Sequence, residues 1–221
     1  MTSSYLSRLL LGLGMIAAAA PVLAQHDQHP QPPEPQPALE RPAEPKIGKG
    51  LVLMHEGRFF MTPCRDRSFV NLDDVSEGEA VFGALKDFGL APGSNLYVEF
   101  YGVERGGLLE VSGINFARTR ARCLGEVENE EAWRAVGLQS EWEAVAAGGT
   151  LSVARAGAPE ERVLYGAIVS DGATHRIAGA GTALEVTPGI CRLADGGTMT
   201  GWKAVIALKG GETLQGCAWE R

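Results

Sequence analysis

The residues best suited to chemistry in this 221-residue sequence are its four cysteines, Cys64, Cys123, Cys191 and Cys217. A thiolate can act as a nucleophile, a metal ligand or half of a disulfide, and spacing helps to decide which. The most motif-like stretch, CRLADGGTMTGWKAVIALKGGETLQGC, runs from Cys191 to Cys217. Nowhere do the cysteines show the C-x-x-C spacing of a redox centre or zinc knuckle, and an even count allows three pairings. Joining Cys191 to Cys217 closes a hairpin-like unit, and joining Cys64 to Cys123 closes a longer loop. In the chain-entropy model these closures stabilise by roughly 3 and roughly 4 kcal/mol. The spacing points to these two structural disulfides, with cross-pairing between the two halves as the other structural option.

Three further groups of residues could bind a ligand. Arg118, Arg120 and Arg122 alternate, so a strand through FARTRARC would project all three from one face. Such a row could clamp a phosphate or carboxylate; the plainer expectation is a solvated face paired with Glu99 and Glu110 on the neighbouring strand. Asp195, Thr198, Thr200 and Lys203 sit on or beside the loop that the last two cysteines hold. Trp133, Trp142, Trp202 and Trp219 all fall in the C-terminal half, where packing in a small barrel is the plainer role and an exposed interface the sharper one. His55 and His175 lie in different halves. No nucleophile elbow, zincin helix, P-loop or dinucleotide fingerprint occurs, and no cofactor or metal is implied. His26 and His29 lie in a proline-rich tail, out of position for an N-terminal copper clip.

The elements that must position these residues are mostly strands. In residues 47–125, apolar runs flank a glycine turn at Glu56-Gly57, and SFVNL at 68–72 makes a third strand. SEGEAVFGALKDFGL carries a helix signature: a capping box at Ser76 and Glu79, a staple of Val75 on Ala80, and an apolar face of Val81, Ala84, Leu85 and Phe88 ended by Gly89. Two more strands follow around Gly106-Gly107, with Leu96, Val98 and Phe100 alternating against Tyr97, Glu99 and Tyr101. The order β-β-β-α-β-β predicts a small, partly open barrel. In residues 126–221 a short helix from Asn129 to Gly137 precedes strands at 141–147, 150–155, 162–170, 174–179, 183–187, 202–208 and 212–218. Tight turns at Gly148-Gly149, Asp171-Gly172 and Gly210-Gly211 suit an antiparallel barrel. The expected fold is therefore mainly β: two small antiparallel β-barrel-like domains, one or two short helices, and a disordered proline-rich segment at the N-terminus.

That segment, 25–46, holds seven prolines and few apolar residues, too little to order itself. Before it, residues 1–24 combine Arg8, an apolar run and Val22-Leu23-Ala24, the pattern of a secretory signal cleaved after Ala24. Removing it leaves 19 basic and 27 acidic side chains, a net charge of −8. Such a surface disfavours nucleic acid and anionic membrane. An exported, periplasmic or secreted protein follows, with no membrane span after cleavage, in a compartment that permits disulfides.

WRAVGLQSEW, followed by GICRLADGGTMTGWKAVIALKGGETLQGCA, resembles a family of uncharacterised exported proteins of Gram-negative bacteria. Its members carry an A-x-G-x-x-P-x-W segment and a later C-x-D-x-M-S-G…L-x-G-C-A segment. The matching residues are Ala135, Gly137 and Trp142, then Cys191, Met199, Gly201, Leu214, Gly216, Cys217 and Ala218, with Thr200 in place of serine. The first segment lacks its proline, and the first cysteine stands further from the methionine than in the family. The resemblance implies an eight-stranded barrel similar to META/HslJ-type domains and to the membrane-bound lysozyme inhibitors. The front part is similar in arrangement to the barrel of a copper-stress envelope lipoprotein. The expected function is non-enzymatic binding or envelope maintenance, with a protein or cell-wall component contacted by loops at a barrel end. Inhibition of lysozyme-type hydrolases is the alternative, through the Asp195–Thr200 loop and Lys203. A hydrolase with a carboxylate site hidden from the sequence is the second alternative.

Overall fold

Glycine turns and two-residue alternation divide the described residues into fourteen strands and one α-helix. The structure, a computed structural model, describes residues 43–66, 68–125 and 130–221. The signal-like segment 1–24, residues 25–42 of the proline-rich segment and Asn129 lie outside these. Among the described residues no helix is long and apolar enough to cross a membrane.

The first ring contains β1 (Lys46–His55), β2 (Arg58–Pro63), β3 (Val70–Asp74), α1 (Ala80–Asp87), β4 (Asn95–Arg105) and β5 (Leu108–Arg118). β1 pairs with β2 and β4, β3 pairs with β2 and β5, and β4 pairs with β5, so the circuit β1-β2-β3-β5-β4 closes on itself. A closed ring with an odd number of strands cannot be antiparallel throughout. Here the β3–β5 pair is parallel, a departure from the antiparallel expectation. A five-stranded ring with a helix between β3 and β4 is a small Greek-key barrel.

The helix forms where its apolar face was expected, with Val81, Phe82 and Leu85 buried. Its start is made differently. Gly78 and Glu79 take left-handed backbone angles in a 3-10 turn, Glu77–Glu79, which removes Glu79 from the capping geometry. Asp74 and Ser76 serve instead: Phe82 N donates to Asp74 Oδ2 at 2.8 Å and Val81 N to Ser76 Oγ at 3.2 Å. Val75 is 52% exposed and staples nothing. The helix packs into the ring through Phe82, whose ring stacks on Phe59 with 3.8 Å between centroids.

The second ring comprises β6 (Glu131–Gly137), β7 (Trp142–Ala147), β8 (Thr150–Arg155), β9 (Glu161–Leu164), β10 (Ile168–Asp171), β11 (Thr174–Gly179), β12 (Thr182–Arg192), β13 (Thr198–Ala207) and β14 (Thr213–Glu220). Strands pair with their sequence neighbours, and β14 pairs back onto β6. The strand expected at 162–170 is broken at 165–167. Its first half, β9, pairs with β8 and its second half, β10, with β11. Counting β9 and β10 as one broken strand gives eight, an even number, and every pairing is antiparallel.

The helix expected before Gly137 is instead β6. Its residues alternate between buried and half-buried along the whole segment, with Trp133 and Ala135 in the core. Arg134 on the other face reaches Glu131 and Glu143. Two ladders, to β7 and β14, outweigh a local helix-start signal that a seven-residue segment could not sustain alone.

Each ring has its own apolar core, one built around Phe100, Leu85 and Val52, the other around Trp142, Leu151 and Ile206. The rings share one sheet, because β13 begins four residues earlier than expected and Thr198–Thr200 pairs with Phe116–Arg118 of β5. At this crossing Gly201 is needed for close approach: a Cβ there would collide with the Ile114 carbonyl oxygen.

Candidate functional site

β1 enters the first ring at Lys46 and runs beside the start of the β2–β3 loop, with Cys64 N donating to Lys49 O at 3.0 Å. Gly50 lets the two strands press together, since a Cβ there would strike Met61 and the Thr62 carbonyl. Between β1, the β2–β3 loop and the β4–β5 turn lies a cleft of about 740 Å³, within the range of ligand sites. Ile47, Met61, Pro63, Val70, Leu109 and Leu124 give it apolar walls. Lys46, Lys49 and Arg65 bring positive charge, against Asp66 and Glu104. The Asp66 carboxylate is engaged by the backbone N–H and hydroxyl of Ser68, and that bonding lowers its pKa. The Cys64–Cys123 disulfide forms part of the lining.

The other face of β4 builds a buried polar seam between the rings. Leu96, Val98 and Phe100 point into the first core, as their alternation requires. Tyr97, Glu99 and Tyr101 point the other way and are covered by the end of β14. Tyr97 and Phe116 pack with Trp219. Glu99 is 1% exposed; it accepts hydrogen bonds from Tyr97 OH at 2.7 Å and from Asn115 Nδ2 at 3.0 Å, and Lys49 Nζ stands 3.8 Å away. Asn115 also donates to Glu220 O and accepts from Glu220 N, both at 2.8 Å. Tyr101 OH lies 2.9 Å from Glu220 Oε2 and accepts from Trp202 Nε1 at 3.1 Å. Burial first, then the neighbouring carboxylate, raises the pKa of both Tyr97 and Tyr101. Every polar group of this seam serves another, so it joins the rings and leaves little to offer a ligand.

Both disulfides have the expected partners, Cys64–Cys123 and Cys191–Cys217. The arginine row is not formed as expected. β5 ends at Arg118, and Arg120 and Arg122 follow in an irregular link where alternation no longer aligns side chains. Arg118 Nε and Arg122 N both turn to the Arg120 carbonyl. Nor do Glu99 and Glu110 pair with the row; Glu99 is buried in the seam and Glu110 meets Arg105 at 3.3 Å.

Asp195 is exposed, and its carboxylate holds its own loop, accepting from Gly197 N, Thr198 N and Thr198 Oγ1 at 2.8, 3.0 and 3.0 Å. Thr200 is fully buried and donates to Trp202 O. Lys203 is exposed further along β13, its side chain lying over Gly189. Trp133, Trp142 and Trp219 are buried and Trp202 is half-buried. His175 packs against Trp133 and Trp202, with its Nδ1 2.8 Å from Ser170 Oγ. Among the described residues no cluster of three or more His, Cys, Asp or Glu is arranged to hold a metal.

The cleft residues Lys46, Lys49, Arg65 and Glu104 had no sequence signal, because they meet only when the ring closes. Cys64 and Cys123 were the single local pointer to that place. Fold and site together define a disulfide-stapled β protein of two fused rings with an open cleft beside a staple. Compared with protein-family profiles, curated proteins and solved structures, the chain finds no match.

Proposed function

We propose that the protein is a non-enzymatic binding protein of an oxidising, extracytoplasmic compartment, and that its ligand is a cell-wall component held in the cleft beside Cys64–Cys123. The cleft carries this reading: its size, apolar walls and basic rim suit a ligand with an apolar or sugar body and an anionic group. The acid excess of the sequence argues against nucleic acid. The ring connectivity is shared with oligosaccharide binders, which supports a glycan without carrying the case. Two disulfides support the compartment, and cleavage after Ala24 with release to the periplasm is part of the proposal.

The test is calorimetric titration of purified protein with soluble cell-wall fragments bearing anionic peptide stems. Binding is expected, and Lys46→Glu should weaken it at least tenfold without changing the melting temperature, while Val70→Trp, which also touches the first ring's core, should weaken it with some loss of stability. Absence of binding, or binding indifferent to both substitutions, would remove the reading.

Inhibition of a basic lysozyme-type hydrolase is a second reading, supported by the Asp195–Thr198 loop, which is already ordered by its own hydrogen bonds. Preorganisation of this kind lowers the cost of insertion into a partner's cleft. Failure to inhibit a lysozyme panel at micromolar protein would eliminate it.

A further inference from the structure

We infer that the Cys64–Cys123 bond is a thiol–disulfide exchange site, reducible by a dithiol while the protein stays folded, and that Cys191–Cys217 is not. The two bonds sit in different surroundings. Cys64 and Cys123 are half-buried and line the open cleft. Cys191 and Cys217 are 7% and 0% exposed, packed with Leu193 and Val136. A dithiol can reach the first pair from solvent and must open the second ring to reach the other.

Charged side chains surround the same bond. Lys46, Lys49 and Arg65 line the cleft that holds these sulfurs. Cations lower the energy of both an incoming and a departing thiolate. Asp66 and Glu104 oppose them: the hydrogen bonds from Ser68 hold Asp66 in its ionised form, and Lys49 also faces the buried Glu99 at 3.8 Å.

Backbone context differs as well. Cys191 and Cys217 lie within β12 and β14, inside ladders. Cys64 follows β2, and Cys123 lies in the link 119–125, which has no helix or strand. Breaking Cys64–Cys123 therefore frees a link without dismantling a sheet.

The exchange is balanced. One thiolate of the dithiol attacks a cleft sulfur, the S–S bond breaks and the other cysteine leaves as a thiolate that takes a proton. The second thiol of the reagent then displaces the mixed disulfide, so the protein gains two thiols and the dithiol becomes a disulfide. The link bearing Arg120 and Arg122 is then no longer tied to the cleft wall. This inference stands whether or not the cleft takes a ligand.

The experiment uses the full oxidised protein under native conditions, with dithiothreitol, timed alkylation and peptide mapping. Cys64 and Cys123 should be alkylated at least tenfold faster than Cys191 and Cys217, while circular dichroism stays unchanged. Trypsin should then cut after Arg120 or Arg122 faster than in the oxidised protein. Equal rates for the two bonds, faster labelling of Cys191 and Cys217, or no labelling short of unfolding would overturn the inference. The double variant K46E/R65E should slow reduction several-fold without affecting Cys191–Cys217; an unchanged rate would overturn the role given to the cleft cations.

Discussion

Asn115 is fully buried between the rings, and its amide serves Glu99 and both backbone groups of Glu220. Asn115→Ala would leave a buried carboxylate oxygen and two backbone groups short of partners. Each such loss costs about 1–3 kcal/mol, so the variant should lose about 3 kcal/mol in urea denaturation. A loss below about 1 kcal/mol would mean that water replaces the amide freely. Tyr97 and Tyr101 make a pH prediction. Their folded pKa values lie above the ordinary 10.0, so above that pH the folded state keeps protons that the unfolded chain has released. Their contribution to stability is therefore full below pH 10 and falls as pH rises beyond it. Phenolate absorbance of the native protein should lag behind that of the urea-unfolded chain by two tyrosines, and Y97F should lessen the alkaline loss of stability.

Helix α1 has eight residues, too few to persist without help from packing and its cap. Its entry depends on Asp74, which accepts from Ser76 N at 3.0 Å and from Phe82 N at 2.8 Å. Asp74→Ala should cost about 1–2 kcal/mol and speed hydrogen exchange at Val81 and Phe82, leaving the second ring's amides unchanged. The S-x-x-E pattern at Ser76 and Glu79 spells a capping box. It misplaced the cap because Gly78 permits a left-handed turn that the pattern does not encode. At β6 the reverse occurred: a helix-start pattern lost to strand pairing on both sides.

The rings are coupled through the β5–β13 ladder, the Tyr97–Phe116–Trp219 cluster and the Asn115–Glu220 bonds. Severing this contact would expose apolar surface and buried polar groups together, so neither ring should unfold first at little cost. Calorimetry should record one transition for the whole chain, with equal calorimetric and van't Hoff enthalpies. Trp219→Ala should lower that transition and resolve it into two. Two resolved transitions in the unaltered protein would show that the seam contributes little.

Strand positions, most hairpin turns and the helix face were legible in the sequence, because two-residue alternation, the 3.6-residue period and glycine's positive φ are local properties. The cysteine pairs were legible too, since spacing and compartment narrow the choices. What tertiary structure alone decided was closure: which strands, far apart in sequence, complete each ring, and that an odd ring must contain a parallel pair. Closure also turned the polar face of β4 from a solvated surface into a buried seam and ended the arginine row at Arg118. It gathered Lys46, Arg65 and Glu104 around Cys64–Cys123, because a cleft is a property of surfaces that meet, which no single stretch of chain contains.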